Sequence, residues 1–332
     1  MTTAYDVACL GNAIVDVIAP ATDAFLEDQG LPKGSMTLVD EAWAARLHER
    51  MAAGVEASGG SAANTAAGVA SLGGRSAFMG RVADDRLGEV YAADMASVGV
   101  AYPHRPLSGG PATGRCLINV TPDGQRTMAT YLGAAQVFGP DDVDPATVEA
   151  AAVTYLEGYL FDPLDARRAF AKAAGLARGS GRKIALTLSD AFVVERHRAA
   201  LLEFIEDQVD VLFANEAEIA ALFGGAGFDA CVAETRARAR LAALTRGEKG
   251  SVIVAPEAVH LVEAAPLAEV VDTTGAGDQY AAGFLFGLAR GLALPECGKL
   301  GSLAAAEVIS HWGPRPQAPL KPLAAEAGLL PA

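Results

Sequence analysis

The sequence lacks the features that mark several large classes of protein. Its four cysteines are far apart and form no Cys-x-x-Cys pair, so neither a disulfide framework nor a zinc site is expected. No apolar run is long enough to span a bilayer, and no Lys/Arg-rich segment would hold the chain on an anionic membrane. The first basic residue is Lys33, so a basic secretory leader is not expected. We therefore expect a cytoplasmic protein with reduced thiols.

Positive charge and aromatic side chains are also scarce. The chain has 26 Lys and Arg against 40 Asp and Glu, a formal net charge of −14. A chain this acidic is poorly suited to the phosphate contacts of nucleic-acid binding, so no such partner is expected. A small anionic ligand remains compatible, because a helix N-terminus or a metal attracts an anion locally. Only 6% of residues are aromatic and 36 are Gly, which is typical of an α/β protein with close helix–sheet packing.

The hydrophobic pattern predicts two kinds of sheet. From residue 151 onward, strand-like apolar runs alternate with helical segments, which predicts a mostly parallel sheet covered on both faces. One of the helices is predicted over 229–243. The Pro-rich tail, GPRPQAPLKPLAAEAGLLPA, is expected to wrap the surface. Residues 112–132 differ, because two β-rich runs flank the turn PDG at 122–124. This hairpin predicts a small second sheet outside the main one.

The stretch DTTGAGDQYAAGFLFGLARG (272–291) joins a Gly-rich turn to an apolar helix. It is not a P-loop, and a GxGxxG fingerprint starting at Gly275 fails at Tyr280. A ligand can approach the turn closely, and the first N–H groups of the helix attract negative charge. Asp278 would then be within reach of a bound ligand as a general base. The alternative is that Asp278 only favours the start of the helix.

A second Gly-rich turn carries a resemblance to a known family. GGSAANTAAGVASLGG (59–74) followed by GRVADDRLGE resembles the first signature of the PfkB-type carbohydrate kinases, the ribokinase-like superfamily, and DTTGAGDQYAAGFL resembles the second. NEAE (215–218) and LTRGEKG (244–250) are similar to the nucleotide-side motifs of that family. The resemblance covers nearly the whole chain. It implies a ribokinase-like three-layer α/β/α sandwich with a mostly parallel central sheet and a small β-sheet lid.

The resemblance also implies domain boundaries and an activity. A large catalytic domain would comprise 1–12, 40–111 and 134–332, and the lid would comprise 13–39 and 112–133. The activity would be ATP-dependent phosphoryl transfer to an alcohol, with Asp278 as the catalytic base. The anion hole for the transferred group would be formed by Gly275, Ala276 and Gly277.

The resemblance assigns the nucleotide and the cations to further residues. ATP would be bound by Asn215, Thr245 and Gly247, and Glu218 would hold Mg²⁺ through water. Asn215 and Glu218 have an alternative interpretation as a helix cap and a dipole partner. Some family members bind K⁺ near the second signature, where Asp272 and the Thr274 carbonyl are the candidates here.

Within the family the chain is most similar to the adenosine kinases. GNAIVDV gives Asn12 and Asp16 the spacing of their substrate strand, and GQRTM places Arg126 where they carry an arginine that closes over the phosphates. Arg126 has an alternative interpretation as a solvated hairpin residue. The substrate-binding residues implied are Asn12, Asp16, Gly60, Ser61 and Asn64. A carboxylate with an amide suits a vicinal diol. The leading hypothesis that the resemblance implies is phosphorylation of a ribonucleoside 5′-hydroxyl, most of all that of adenosine.

Other functions and features stay open at this point. The runner-up is a kinase of a free small sugar or sugar acid, of the ribose or 2-keto-3-deoxygluconate type. The intact turn with Asp278 disfavours a non-catalytic binding protein. The failed GxGxxG pattern disfavours a Rossmann-type oxidoreductase. Met36, Leu38 and residues 159–161 are predicted to face the base of a nucleoside. Glu157 would either accept from its exocyclic amine or favour a sugar. The chain would be a monomer or a homodimer.

Overall fold

The structure, a computed structural model, describes residues 3–103 and 105–331, and within them it contains fourteen strands and twelve α-helices. The strands are β1 (Tyr5–Leu10), β2 (Ile14–Pro20), β3 (Met36–Leu38), β4 (Val55–Gly59), β5 (Ser76–Met79), β6 (Val100–Ala101), β7 (Gly114–Val120), β8 (Arg126–Tyr131), β9 (Ala151–Glu157), β10 (Lys183–Thr187), β11 (Val211–Asn215), β12 (Ala242–Thr245), β13 (Ser251–Val254) and β14 (Val259–Val262).

The twelve α-helices of the described residues lie between or after these strands. They are α1 (Asp23–Asp28), α2 (Glu41–Arg50), α3 (Ser61–Ser71), α4 (Arg86–Ser97), α5 (Pro145–Ala150), α6 (Leu164–Gly179), α7 (Ala191–Gln208), α8 (Glu216–Leu222), α9 (Phe228–Arg238), α10 (Ala276–Ala289), α11 (Leu294–Ile309) and α12 (Leu320–Glu326). Asp40 and Asp85 cap α2 and α4, since each carboxylate accepts a hydrogen bond from a first-turn N–H group.

A nine-stranded sheet forms the middle layer of the molecule. Its order is β14-β13-β12-β11-β10-β9-β1-β5-β6, and the run from β12 to β6 is parallel. Alternating side chains of β1 enter two different cores. Val7 and Cys9 pack with α3, α10 and α11, whereas Ala8 and Leu10 pack with α6 and α7. The predicted three-layer α/β/α sandwich is therefore confirmed.

A five-stranded second sheet has the order β3-β8-β7-β2-β4. The predicted hairpin is present as the antiparallel pair β7–β8. Strand β4, in a segment that the sequence analysis placed in the large domain, pairs with β2 along Ile14–Ile18 and so belongs to this small sheet. The domain boundaries otherwise stay a prediction.

Two further predictions differ from the structure. The helix expected over 229–243 ends at Arg238, and β12 begins at Ala242. The segment LAALT is rich in good helix formers, but pairing with β11 on one side and β13 on the other overrides that local preference. The Pro-rich tail, expected only to wrap the surface, sends residues 313–315 back to the turn that precedes α10.

The parallel strands bring the polar side chains of the motifs to one edge of the sheet. Glu157, Thr187, Asn215 and Thr245 all end neighbouring strands of the parallel run. The carboxyl edge of a parallel sheet is where such folds bind ligands, so the candidate site lies there. Among the described residues, no helix is long and apolar enough to cross a bilayer.

Candidate active site

The Asp278 carboxylate joins the two Gly-rich turns of the sequence. It stands in the first turn of α10, and both of its oxygens accept hydrogen bonds from α3. Ser61 Oγ donates to Oδ1 at 2.6 Å, and Asn64 Nδ2 donates to Oδ2 at 3.0 Å. These pairs are separated by more than 210 positions in the chain. The structure thus brings together the residues that the sequence analysis assigned to base and substrate.

The turn 275–277 leaves space for a ligand on one side only. Gly275 has φ +80°, and a Cβ added to it would lie 2.6 Å from Pro314 Cα, so this side is closed. A Cβ added to Gly277 would meet nothing within 4 Å. The Ala276 N–H group turns back to the Thr273 carbonyl at 3.2 Å. The N–H groups of Gly277 and Asp278 lie in the first turn, where a helix supplies no acceptor, so they suit an anion.

Burial raises the pKa of Asp278 to about 6, although hydrogen bonds from Ser61 and Asn64 and the Arg315 charge oppose the rise. A carboxylate with this pKa is ionised at neutral pH yet is a stronger base than an exposed aspartate. General-base catalysis is most effective when the pKa lies near the working pH. The position and the basicity of Asp278 therefore both suit proton abstraction.

Asp16 lies on β2, in the lid sheet, close to the same group of side chains. Burial raises its pKa to about 6, the charges of Arg315 and Arg126 lower it, and that of Asp278 raises it. A Cβ added to Gly59 would lie 2.6 Å from the Asp16 Cγ, so the glycine lets the two chains approach. Gly60 follows with φ +97° as the cap of α3. The Asp16 carboxylate and the Asn64 amide thus offer an acceptor and a donor near the base.

Glu157 is committed to the protein rather than to a ligand. It is 1% exposed, and Oε1 accepts from the Asn12 side chain at 2.7 Å and from the Asn12 N–H group at 3.3 Å. Oε2 accepts from the Ala62 N–H group in the first turn of α3 at 2.9 Å. Both alternatives in which Glu157 contacts the acceptor are therefore wrong for this conformation. The residue fixes Asn12 and the start of α3, and Asn12 in turn has its amide nitrogen engaged.

Arg126 makes a buried ion pair rather than a solvated contact. Its Nη2 lies 3.0 Å from Asp272 Oδ2, with the two side chains 9% and 7% exposed, and its guanidinium lies 5.3 Å from the centre of the Trp312 ring. Its Nε is buried without a hydrogen-bond partner in the described part of the chain. The pair ties the lid hairpin to the start of the second Gly-rich turn.

The Asp272 carboxylate has little capacity left for a potassium ion in this conformation. Oδ1 accepts from the Thr274 N–H group and Oγ1, and Oδ2 accepts from the Gly313 N–H group as well as pairing with Arg126. Burial raises its pKa, but the Thr274 and Gly313 hydrogen bonds and the Arg126 charge outweigh this, so the net pKa is lowered. Its four acceptor positions are filled by protein donors.

A cavity of about 460 Å³ extends from Asp278 across the carboxyl ends of β10 and β11. Asn215 and Glu218 line it and also form a capping box at the start of α8, so the helix-cap interpretation holds alongside the lining role. Burial raises the pKa of Glu218 to about 7, and the Asp190 and Asp278 charges add to this. Two carboxylates of described residues, Glu218 and Asp278, line the cavity. Hydrated Mg²⁺ fits such a lining because it needs only one or two carboxylates.

A second cavity of about 620 Å³ adjoins the first and is mainly apolar. It shares the wall formed by Thr245, Thr273, Ala276, Gly277 and Tyr280 with the first cavity. Gly247, with φ +57°, lines its rim, and the aliphatic side chains include Leu267, Val270 and Ile309. An apolar chamber beside a polar one has the dimensions and chemistry that a nucleotide requires.

The predicted wall for a nucleoside base is only partly assembled. Leu160 and Phe161 are 1% and 3% exposed and pack into the core under α6 and α7, so their prediction as lining residues is wrong. Tyr159 lines the 460 Å³ cavity instead. Met36 and Leu38 are 52% and 61% exposed on the edge strand β3.

The sequence analysis missed one residue of the site. Arg315 Nε donates to Asn64 Oδ1 at 3.2 Å, although the two lie 251 positions apart. The available signal was small. Arg315 is the one Lys or Arg between Lys299 and Lys321, and prolines flank it on both sides.

Comparisons with known proteins show the family and the fold. The sequence profile of the pfkB family carbohydrate kinases matches residues 6–321. The crystal structure of adenosine kinase from Sinorhizobium meliloti is similar with a TM-score of 0.89 and 51% identity, covering 97% of this chain and 99% of that one.

Two further relatives are similar over almost their full lengths. A probable sugar kinase from Rhizobium etli has a TM-score of 0.91 and 45% identity, covering 99% of this chain and 100% of that one. The adenosine kinase of Saccharomyces cerevisiae is 29% identical, covering 92% of this chain and 95% of the yeast protein.

The buried Glu157 generates a prediction for stability. Burial raises its pKa from 4.5 to about 7, so between these values the folded protein keeps a proton that the unfolded chain releases. Its contribution to the free energy of unfolding is therefore full below pH 4.5 and is lost as the pH rises through 7. In Glu157→Gln, which has no such proton, the loss of stability between pH 5 and 7.5 should be smaller by about 2–3 kcal/mol.

Thermal or urea unfolding of both proteins across this range measures the difference. Glu263→Gln, at an exposed position, is the matched control and should follow the wild type. An identical pH dependence in the wild type and Glu157→Gln would contradict the assignment of a proton to Glu157.

Proposed function

Because the chain belongs to the pfkB family of carbohydrate kinases, we propose that it transfers the γ-phosphoryl group of ATP to the 5′-hydroxyl of a ribonucleoside, adenosine being the first candidate. The coarser activity follows from the family and its relatives: the protein is an ATP-dependent phosphotransferase that acts on a sugar or nucleoside. The nucleoside, the site of transfer and the residue roles below are the proposal.

One observation carries the chemistry. Asp278 is fixed by hydrogen bonds from Ser61 and Asn64 and lies in the first turn of a helix whose first residues line the 460 Å³ cavity. A substrate hydroxyl placed against the Asp278 carboxylate would therefore lie between the group that takes its proton and the anion site at the first turn of α10. This is the arrangement that in-line phosphoryl transfer needs, since that reaction depends on positioning and charge stabilisation.

The residues divide the work in the following way. Asp278 takes the proton of the acceptor hydroxyl as the oxygen attacks the γ-phosphorus. The N–H groups of Gly277 and Asp278, in the first turn of α10, stabilise the negative charge on the transferred group. Mg²⁺, when bound, neutralises the phosphate oxygens, and Asn215 with Glu218 would hold it through water. Thr245 and Gly247 border the apolar cavity in which the ATP base would lie.

The proposal for the acceptor rests on the polar side chains around Asp16 and Asn64 and on the similarity to an adenosine kinase. Asp16 and Asn64 can accept from and donate to the two hydroxyls of a ribose, with Gly60 and Ser61 close to them and Asn12 fixed behind. The Sinorhizobium protein, 51% identical over nearly the full length, is named an adenosine kinase, which supports a nucleoside. Met36 and Leu38 are exposed apolar side chains on the lid and would cover the flat face of the base.

A free sugar or sugar acid is the second candidate. The Rhizobium protein, 45% identical, is named a probable sugar kinase. Asp16 and Asn64 could bind the diol of a free sugar equally well. The buried positions of Leu160 and Phe161 also remove two of the apolar contacts that the nucleoside hypothesis had used.

The base assignment predicts a large loss of turnover in Asp278→Asn. The amide keeps the shape of the site but cannot take a proton, so kcat should fall by about 10²–10⁴-fold with little change in ATP affinity. Glu218→Gln, the same chemical change in the same cavity, is the matched comparison. It should instead raise the Mg²⁺ concentration needed for half-maximal rate. An Asp278→Asn enzyme retaining more than about a tenth of wild-type kcat would exclude Asp278 as the base.

The acceptor assignment predicts a ranking of substrates. Values of kcat/KM for adenosine, inosine, 2′-deoxyadenosine, ribose and 2-keto-3-deoxygluconate would be measured under one condition. Adenosine should be best, and 2′-deoxyadenosine should be at least about tenfold poorer because it leaves polar groups of the site unpaired. If either free sugar exceeds every nucleoside, the acceptor is a sugar and only the family-level activity stands.

The ion pair of Arg126 predicts a role in phosphate binding. We propose that the guanidinium exchanges Asp272 for the phosphates when ATP is bound, since its Nε has no hydrogen-bond partner among the described residues. Arg126→Ala should then lower kcat by on the order of 10²–10³-fold and change the acceptor KM much less. Arg115→Ala removes an arginine from the neighbouring strand β7 and is the control. Equal losses in both variants would mean that Arg126 only stabilises the lid.

A further inference from the structure

The C-terminal segment 313–315 is held against the second Gly-rich turn at three points. The Gly313 N–H group donates to Asp272 Oδ2 at 3.1 Å, and the Pro314 carbonyl accepts from Gln279 Nε2 at 3.0 Å. Pro314 also packs directly against Gly275. Prolines on both sides of Arg315 restrict the backbone further. The Cα of Arg315 is therefore placed by the same turn that carries the base.

The guanidinium of Arg315 is fixed as firmly as its backbone. The side chain is 15% exposed, and Nη1 lies 3.0 Å from Asp94 Oδ2 on α4. Nε donates to Asn64 Oδ1 on α3 at 3.2 Å. Two partners on two different helices determine the plane of the fork, because its donors have a rigid geometry.

This contact decides which way the Asn64 amide faces. The amide has one oxygen, which accepts, and one NH₂ group, which donates. Arg315 takes the oxygen, so the NH₂ group is directed to Asp278 Oδ2 at 3.0 Å. A flipped amide would set its oxygen against the carboxylate and its NH₂ group against the guanidinium, and both contacts would be repulsive.

The charge of Arg315 also acts where negative charge is concentrated. The titratable side chains close enough to interact with Asp278 come from β1, β2, β9, the turn after β9, α8 and the C-terminal segment: Cys9, Asp16, Tyr155, Glu157, Tyr159, Glu218 and Arg315. Three of them are carboxylates, and Arg315 is the cation. Its charge lowers the pKa of Asp278 against the effect of burial.

We propose that Arg315 is a positioning residue of the active site, which orients the Asn64 amide toward Asp278 and keeps the Asp278 carboxylate in its ionised, proton-accepting form. The inference rests on the proposed role of Asp278 as the base. It adds a residue from outside both family signatures to the machinery, and it separates into two measurable effects, one geometric and one electrostatic.

Two substitutions separate these effects. Arg315→Met removes the charge and the fork, so the acid limb of the kcat/KM profile should move up by about one pH unit. The loss of activity should then be about five times larger at pH 6 than at pH 8.5. Arg315→Lys keeps a charge but not the fork. Its acid limb should stay near that of the wild type, while kcat/KM falls at every pH.

The control is Arg290→Met, which removes another arginine from an ion pair, with Asp6, at the far end of α10. It should leave the acid limb in place, and unfolding midpoints report any loss of fold in each variant. A uniform loss in Arg315→Met with an unmoved acid limb would overturn the electrostatic part. The geometric part is tested in an Asn64→Ala background, where Arg315→Met should cost less than in the wild type. Additive losses would overturn it.

A measurement without catalysis keeps this inference separate from the proposed function. If no acceptor is phosphorylated, the proposed function fails, but the Asp278 carboxyl can still be titrated by ¹³C NMR, with Asp278→Asn identifying its resonance. A higher midpoint in Arg315→Met supports the inference. An unchanged midpoint overturns the electrostatic part whichever substrate the protein uses.

Discussion

The active site depends on one half-buried carboxylate that joins the starts of two helices. Asp278 stands in the first turn of α10 and accepts hydrogen bonds from two side chains at the start of α3. The two Gly-rich turns therefore cannot move apart without leaving this carboxylate unpaired. Glu157 also stabilises the start of α3, because its carboxylate links the first turn of that helix to Asn12. Each of these carboxylates has a raised pKa because burial is only partly offset by its hydrogen-bond donors. The polar chemistry of the site is thus obtained at a cost in stability.

The sequence predicted the features that depend on residues adjacent in the chain. Strand and helix alternation, the β7–β8 hairpin and the turn at 275–277 each depend on a few adjacent residues, and all of them appear in the structure. The identity of β12 was not predicted, because LAALT is helix-like in isolation and becomes a strand only between β11 and β13. A sheet neighbour is not visible in a local pattern.

The remaining differences concern partners that are distant in the chain. Glu157 binds Asn12 across 145 positions, and Arg315 binds Asn64 across 251. Nothing in the residues beside Glu157 indicates that its oxygens are already taken. Nothing beside Arg315 indicates that a Pro-rich tail returns to the site. The family signatures pointed to the base and the anion turn, whereas the contacts of residues outside those signatures are visible only in the folded structure.

The raised pKa values also change what the formal charge of −14 means for the folded protein. That figure counts every carboxylate as ionised. Burial raises the pKa of Asp16 and Asp278 to about 6 and that of Glu157 and Glu218 to about 7, so near neutrality the fold carries bound protons that the formal charge ignores. The folded protein is accordingly less negative in slightly acidic solution than its composition indicates, and its electrophoretic mobility should change with pH more steeply there than that of the unfolded chain. The four carboxylates of the active site therefore buffer protons between about pH 6 and 7 in an otherwise strongly acidic molecule.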